Sequence, residues 1–228
     1  MPTKKPARAP EQLPKKLPDN PLPILSAWLQ DAIQDGSLPN ADAMTLATAG
    51  KNGQPTARIV LCKEIVAEPG YLVFYTNYNS AKGIDIANEN RVAAVFHWDH
   101  MNRQARIEGL AVKSPDAESD TYFASRDKES QIGAWASAQS QPVDSRQTLM
   151  GKHAATTRKL SDLALGSGRN DVPRPPFWGG YRVWISALEL WVRGEARLHD
   201  RGRWNRSLER QDDGSFTTGN WTATRLQP

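Results

Sequence analysis

The residues best equipped for chemistry lie between Trp191 and Arg201, in the run Trp-Val-Arg-Gly-Glu-Ala-Arg-Leu-His-Asp-Arg. Gly194 reads as a turn, and Glu195 to Asn205 reads as a strand. Strand side chains alternate between faces. Glu195, Arg197, His199 and Arg201 therefore share one face, and Ala196, Leu198 and Asp200 the other. Two arginines and a histidine in a row make a cradle for an anionic ligand. The guanidinium fork matches phosphate, and imidazole exchanges a proton near neutral pH. The row fits an exposed strand with solvated charges just as well, and the run alone does not separate the two.

Four further clusters carry possible chemistry. Arg58-Ile59-Val60-Leu61-Cys62-Lys63 sets two cations in an apolar strand, where buried charge needs a partner. Ideal alternation places Arg58 and Lys63 on opposite faces, so one shared site requires a bulge or a subunit boundary. Phe74-Tyr75-Thr76-Asn77 followed by Ser80-Ala81-Lys82 is a strand running into a helix. Its helix-start N–H groups, hydroxyls and lysine suit a phosphate, or simply cap a helix. Tyr122 and Arg126 are one helical turn apart, with Ser130 at the next element's start. Together they suit a second phosphate, or the polar edge of an amphipathic helix. Gln131-Ile132-Gly133-Ala134-Trp135 leads to Gln139-Ser140, whose amides offer donor and acceptor to a heterocycle, or ordinary helix surface to water. Cys62 reads as a packing residue. His97 and His100 receive no chemical role.

These residues need a frame. A helix from Pro21 to Asp35 is capped by Asp19 or Asn20. It buries Leu25, Trp28, Leu29, Ala32 and Ile33 and ends at Gly36. Strands follow at 43–49, 54–66, 71–77, 91–98 and 103–113, with an Asn-Gly turn at 51–54 and a helix at 80–88. Helices are expected from Ser114-Pro115 to Ser125, over 130–138, and from a capping box at 144–147 to Leu165. A polar loop at 166–170 and an extended proline run at 173–176 precede strands at 181–191, 195–205 and 215–226. Antiparallel strands with helices between them predict a mainly β, α+β fold, a barrel-like sheet with peripheral helices. No glycine-rich nucleotide loop is present.

Composition narrows the class. The 228 residues include eight tryptophans and 39% hydrophobic residues, enough for one sizeable core. Mean hydropathy of -0.62 and the lack of a long apolar run argue against a membrane-spanning helix. The single cysteine fits a reducing cytoplasm, and it leaves a structural zinc site unsupported. The pI of 9.2 invites nucleic acid. However, residues 1–20 hold Lys4, Lys5, Arg8, Lys15 and Lys16 against Glu11 and Asp19, so this stretch carries +3 of the formal +4. The nearly balanced remainder is a poor nucleic-acid surface. The expected organisation is a disordered or loosely attached basic tail, 1–20, and one domain, 21–228.

In order along the chain, RIVLCK (58–63), FYTN (74–77), RQARIEG (103–109), SQIGAWASAQS (130–140), RPPFWGGYRV (174–183), RLHDR (197–201) and the terminal Arg-Leu-x-Pro (225–228) resemble the pyridoxamine 5′-phosphate oxidase family. The likeness covers roughly residues 20 to 228. It implies an FMN-binding split β-barrel of antiparallel Greek-key type, working as a homodimer with FMN at the subunit boundary. The implied FMN contacts are Arg58, Ile59, Val60, Leu61, Cys62, Lys63, Tyr75, Thr76, Lys82, Gln104, Gln139, Ser140, Trp191 and Arg201. The implied substrate contacts are Lys63, Tyr122, Arg126 and Ser130 at the substrate phosphate, with Arg197, Leu198 and His199 over the pyridine ring. Arg197 and His199 are the implied catalytic pair. The implied reaction oxidises pyridoxamine or pyridoxine 5′-phosphate to pyridoxal 5′-phosphate, with O₂ as acceptor.

Two departures stand out. Ala81 occupies the place where the family usually has arginine, between Ser80 and Lys82, which implies weaker FMN binding. The tail also lacks the Arg-Arg-x-Tyr segment that covers the substrate in many members. Three other readings remain: a split-barrel flavin oxidase of another ring, as in phenazine pathways; a non-catalytic binder of FMN or pyridoxal phosphate; and a basic nucleic-acid protein.

Overall fold

The computed structural model describes residues 11–167 and 172–228, and of 161–167 the backbone only. Helix α1 (Leu22–Asp35) opens with the Asn20 side chain accepting the Leu22 N–H at 3.0 Å and closes on Gly36 at φ +65°. Its buried arc is Leu22, Leu25, Trp28, Leu29 and Ala32. Ile33, expected on that arc, is 48% exposed, at the edge of the arc in the last turn of the helix.

The next elements are β1 (Ala43–Ala49), β2 (Pro55–Val66), β3 (Tyr71–Asn77), α2 (Ala81–Asn88), β4 (Arg91–Trp98) and β5 (Arg103–Lys113). Three helices follow: α3 (Asp116–Ser125), α4 (Lys128–Ala136) and α5 (Arg146–Ser167). The chain then returns as β6 (Trp178–Val192), β7 (Asp200–Asn205), the short pair β8 (Leu208–Arg210) and β9 (Phe216–Thr218), and β10 (Thr222–Arg225). The strands pair antiparallel in the order β10-β7-β6-β3-β2-β1-β4-β5, and β5 pairs back onto β6. Six strands thus close a barrel around Leu46, Leu72, Phe74, Phe96, Trp98, Ile107 and Leu188. One edge of β6 changes partner along its length. Residues 178–184 pair with β3 and residues 187–192 with β7, so the barrel splits there. Among the described residues no helix is long and apolar enough to cross a membrane.

Several boundaries differ from expectation. β6 starts at Trp178, three residues early. The expected strand 215–226 divides into β9 and β10, which pair with different partners, β8 and β7. α4 begins at Lys128, because the Asp127 carboxylate caps it by accepting the Ser130 N–H at 2.7 Å; Ser130 lies inside the helix. α5 continues through Ser167, two residues into the expected loop at 166–170, and 168–170 lie outside the described residues.

The largest departure concerns the tail. Residues 1–10, with Lys4, Lys5 and Arg8, lie outside the described residues, but 11–18 are fastened to the barrel. Leu13 is buried in the main core, and both oxygens of Glu11 accept from Arg103, at 2.6 and 2.7 Å. The Pro18 carbonyl accepts the Trp204 indole N–H at 2.7 Å. Arg103 is itself buried and also donates to Asp31 at 2.8 Å. A buried guanidinium requires acceptors, and residue 11 supplies them.

Candidate functional site

A cavity of about 340 Å³ opens where β2, β3 and the start of α2 meet α3 and the segment after α4. Eleven residues expected in a site line it: Arg58, Ile59, Val60, Leu61, Lys63, Tyr75, Thr76, Lys82, Tyr122, Arg126 and Gln139. Trp178 is the twelfth. The face problem of Arg58 and Lys63 is met by a register shift between Cys62 and Glu64 in the β2–β3 pairing, a bulge centred on Lys63. Cys62 points instead into the core, 2% exposed, and burial pushes its thiol up to about 12. That agrees with a packing role and excludes a ready thiolate.

The cavity is cationic, and several of its cations lack matching acceptors. Lys82, 8% exposed, donates to Thr76 Oγ1 (3.1 Å), Ser80 Oγ (3.2 Å) and Gln139 Oε1 (2.8 Å), all neutral oxygens. Burial and, secondarily, the Arg58 charge lower its pKa to about 8. Arg58 donates to Thr48 Oγ1 (2.6 Å) and Thr56 Oγ1 (2.5 Å), with Asp85 at 3.8 Å; burial lowers its pKa. Lys63 is paired with Asp42 at 2.7 Å. Arg126 lies 4.7 Å over the Trp178 ring, and its buried Nη1 has no acceptor. Burial lowers its pKa as well. An unmatched buried donor costs on the order of 1–3 kcal/mol, and a bound anion would relieve that cost.

Local structure sets these side chains. Ser80 caps α2 by accepting the Gly83 N–H, which fixes Lys82 in the first turn. Gln131 Nε2 donates to the carbonyls of Phe123 and Arg126, both at 3.0 Å, and so ties the end of α3 to α4. Gln131 thus braces Arg126 from behind. Tyr75 stacks on Tyr122 at 3.8 Å and 11°, and Trp178 continues the stack at 5.6 Å from Tyr75. Tyr75 can approach because Gly180 stands opposite it; a Cβ there would meet Tyr75 Cε1 at 2.9 Å. Trp178 lies inside the RPPFWGGYRV motif but was not expected in the site. An aromatic at a strand start gives no sign of which side it will face. Ser130 and Ser140 flank the region without lining the cavity, and Ser140 is exposed at φ +72°.

The remaining expected residues gather elsewhere. Gln104, Trp191 and Arg201 form one cross-strand row over β5, β6 and β7. The His199 ring lies 4.7 Å from the Trp191 ring, and His199 Nδ1 accepts the Gly194 N–H at 3.2 Å. The neutral ring therefore carries its proton on Nε2. Arg201 donates to the buried Glu189 at 2.9 and 2.8 Å. The alternation expected from Glu195 onward fails. Ala196 and Arg197 adopt left-handed φ of +50° and +66°, Glu195–Arg197 form a single 3-10 turn, and the strand begins at Asp200. Leu198, assigned to the inward face, is 74% exposed. Glu195, Arg197 and His199 thus stand on a loop, and only Arg201 stands on the strand.

The cavity and this row lie at opposite ends of β6. At about 3.3 Å per residue, Trp178 to Trp191 spans roughly 40 Å of strand contour. One chain does not bring the two sets of residues together.

Residues 29–160 match the family profile described as pyridoxamine 5′-phosphate oxidase, and residues 178–228 match one described as the pyridoxine 5′-phosphate oxidase C-terminal dimerisation region. Relatives named pyridoxine/pyridoxamine 5′-phosphate oxidase include one from Cupriavidus metallidurans, 42% identical over 92% of this chain and 89% of that protein. Another, from Burkholderia multivorans, is 45% identical over the same shares. Among solved structures, PhzG from Burkholderia lata 383, in complex with tetrahydrophenazine-1-carboxylic acid, aligns with a TM-score of 0.75 at 28% identity, covering 92% of this chain and 94% of that one. A pyridoxamine 5′-phosphate oxidase-related, FMN-binding protein from Nostoc punctiforme shares the fold, with a TM-score of 0.65 at 15% identity over 90% and 96% of the chains. With a split barrel, seven motifs in order and matching profiles over both halves, the chain belongs to the pyridoxamine 5′-phosphate oxidase family.

Proposed function

We propose that this protein is an FMN-dependent oxidase of vitamin B6 phosphates. It converts pyridoxamine 5′-phosphate and pyridoxine 5′-phosphate to pyridoxal 5′-phosphate, with O₂ as acceptor, giving H₂O₂; for the amine, one water supplies the aldehyde oxygen and ammonia leaves. The observation that carries the reading is Arg126, whose buried Nη1 lacks an acceptor in a cavity that also holds Arg58, Lys63 and Lys82. A phosphate monoester brings about −1.5 to −2 charges. Four cations suit two such groups, one from the cofactor and one from the substrate.

FMN, when bound, supplies the redox chemistry by taking two electrons from the substrate carbon and passing them to O₂. The chain's own residues bind and orient. Arg58 and Lys82 hold the cofactor phosphate, with Tyr75, Thr76, Gln139, Ser140 and the strand 59–62 along its length. Lys63, Tyr122, Arg126 and Ser130 take the substrate phosphate. Gln104, Trp191 and Arg201 reach the cofactor, and Arg197, Leu198 and His199 the substrate ring, from a second copy of the chain. His199 presents Nε2 as its proton-bearing atom, since Nδ1 is committed to Gly194. The placement of the half-sites at opposite ends of β6 supports a homodimer, as does Ile59, 63% exposed on β2 beside the cavity.

The test is spectroscopic. Purified protein should be yellow, pyridoxamine 5′-phosphate should bleach it without air, and air should restore the colour. A yellow protein that stays oxidised is a binder and not this oxidase; a colourless one that takes up no FMN ends the flavin reading. The likeness to PhzG favours a second reading, an oxidase of a phosphate-free ring. Arg126→Ala separates the two. It should raise KM for pyridoxamine 5′-phosphate roughly 10- to 100-fold, the worth of a charged hydrogen bond. It should leave turnover of a phosphate-free ring unchanged.

A further inference from the structure

We propose that Asp200 is a positioning residue that clamps the base of the 193–199 loop and so holds His199 and Arg201 in place for the reaction. The proposal rests on the reading of those two residues as substrate- and cofactor-facing.

Within the loop the contacts are short-range: the Leu198 N–H donates to the Glu195 carbonyl at 2.8 Å, the His199 N–H to the Arg197 carbonyl at 2.9 Å and the Gly194 N–H to His199 Nδ1 at 3.2 Å, so the loop's place on the barrel is set at its two ends. Ala196 and Arg197 are non-glycine residues in the left-handed region, a conformation that relaxes unless its surroundings enforce it. Arg193 and residues 195–198 are exposed. Its upstream end is tied by the Arg193 N–H donating to the Asn102 carbonyl at 2.9 Å. Its downstream end runs straight into Asp200.

Asp200 is where two distant segments converge. Its Oδ2 accepts the Leu13 N–H at 2.8 Å, and its Oδ1 accepts from Arg225 Nη1. The other arm of Arg225 donates to the Pro14 carbonyl at 2.7 Å, which closes a three-way link. The residues after Arg225 continue the grip one position along. The Leu226 N–H donates to the Arg201 carbonyl at 3.0 Å, and Arg201 Nη1 donates to the Gln227 carbonyl at 2.8 Å.

The clamp also spans strands. Arg103, Val192 and Asp200 form one cross-strand row, directly beside the row Gln104, Trp191 and Arg201. Residues 11–13 bind the first and third members of that row, through Glu11 to Arg103 and Leu13 to Asp200. A strap tied across β5 and β7 on one row fixes the register of its neighbour, because adjacent residues share a backbone. This gives the terminal Arg-Leu-x-Pro motif and the 11–14 segment a task in the site, although neither reaches the cavity.

The experiment uses the full-length, FMN-loaded protein with Asp200→Asn, Arg225→Gln, the double variant and Arg225→Lys. Three quantities are read: the rate of trypsin cleavage after Arg197, kcat and KM for pyridoxamine 5′-phosphate, and the melting temperature. Each single variant should speed cleavage and lower kcat, each about tenfold, with KM held within about threefold. The double should be no worse than either single, because both remove one link. Arg225→Lys, which keeps the ion pair, should recover most of the loss. Cleavage within about twofold of wild type overturns the clamp, and so does faster cleavage with unchanged kcat. Should Asp200→Asn fail to fold, the Arg225 variants decide, since that side chain is 40% exposed on an edge strand. If the wild type oxidises no vitamin B6 phosphate, the oxidase reading fails, and the cleavage arm still decides whether Asp200 holds the loop.

Discussion

Lys82 carries its charge among three neutral oxygens, which makes its proton sensitive to a bound anion. Its pKa of about 8, against the ordinary 10.5, means that the ligand-free folded state binds fewer protons than the unfolded chain between those values. Stability of the flavin-free protein should therefore rise from pH 8 to about 9.5. The cost of burying the cation is fully present below pH 8 and is relieved above it. Beyond about pH 10, the raised pKa values of Tyr75, Tyr78 and Tyr181 act in the opposite sense. Thermal melts across this range should show the rise, and Lys82→Met should abolish it. A bound phosphate reverses the preference, since it favours the ammonium form. FMN affinity, read by quenching of flavin fluorescence, should fall up to about tenfold per pH unit above 8. Ala81→Arg should tighten FMN about tenfold or more by restoring a charged contact at the exposed start of α2. Most of the cavity was legible at this scale: Thr76, Lys82 and Arg126 sit at element ends where the sequence marks turns and caps, and Arg58 and Lys63 stand out as cations in an otherwise apolar strand. Trp178 was not, since nothing in its neighbours says which side of β6 it will face.

Close approach between β3 and β6 decides whether the aromatic stack forms. Gly180→Ala places a methyl 2.9 Å from Tyr75 Cε1 and 2.6 Å from Ser114 Oγ, so the ring must move off Tyr122 and Trp178. Denaturant unfolding should show a loss of about 1–3 kcal/mol, the usual cost of overpacking, together with weaker FMN binding. Strands β1 to β5 could be read from alternation and turn residues to within a residue or two. The 195–199 stretch could not, because its left-handed residues are alanine and arginine, which carry no turn signal. The 11–18 segment looked loose for a related reason. Its proline- and lysine-rich composition resembles disorder, and its anchors are one leucine, one glutamate and backbone groups.

At the level of the whole molecule, the two residue sets lie at opposite ends of β6, and the proposed function builds each site from both copies. Mixed dimers test this directly. Lys82→Ala disables the cavity half and Arg201→Ala the other half, and each homodimer should be nearly inactive. Subunits exchanged between them should recover about a quarter of wild-type activity, because half of the random dimers are hybrids with one intact site of two. No recovery would place both halves of each site in the same chain. Ile59→Asp, on the exposed face of β2, should shift sedimentation toward the monomer and cost FMN binding in parallel.

The Asp200 link also sets an order of assembly. The hairpins of β1 to β5 join residues close in sequence, whereas the link joins residues separated by 187 and 211 positions. Distant closures are the slow ones. A chain emerging from the ribosome can thus complete its anion cavity well before Arg225 exists to secure the imidazole loop. Pulse-labelled hydrogen exchange during refolding should find the amides of β1 and β2 protected first, and those of Leu13 and Leu226 last.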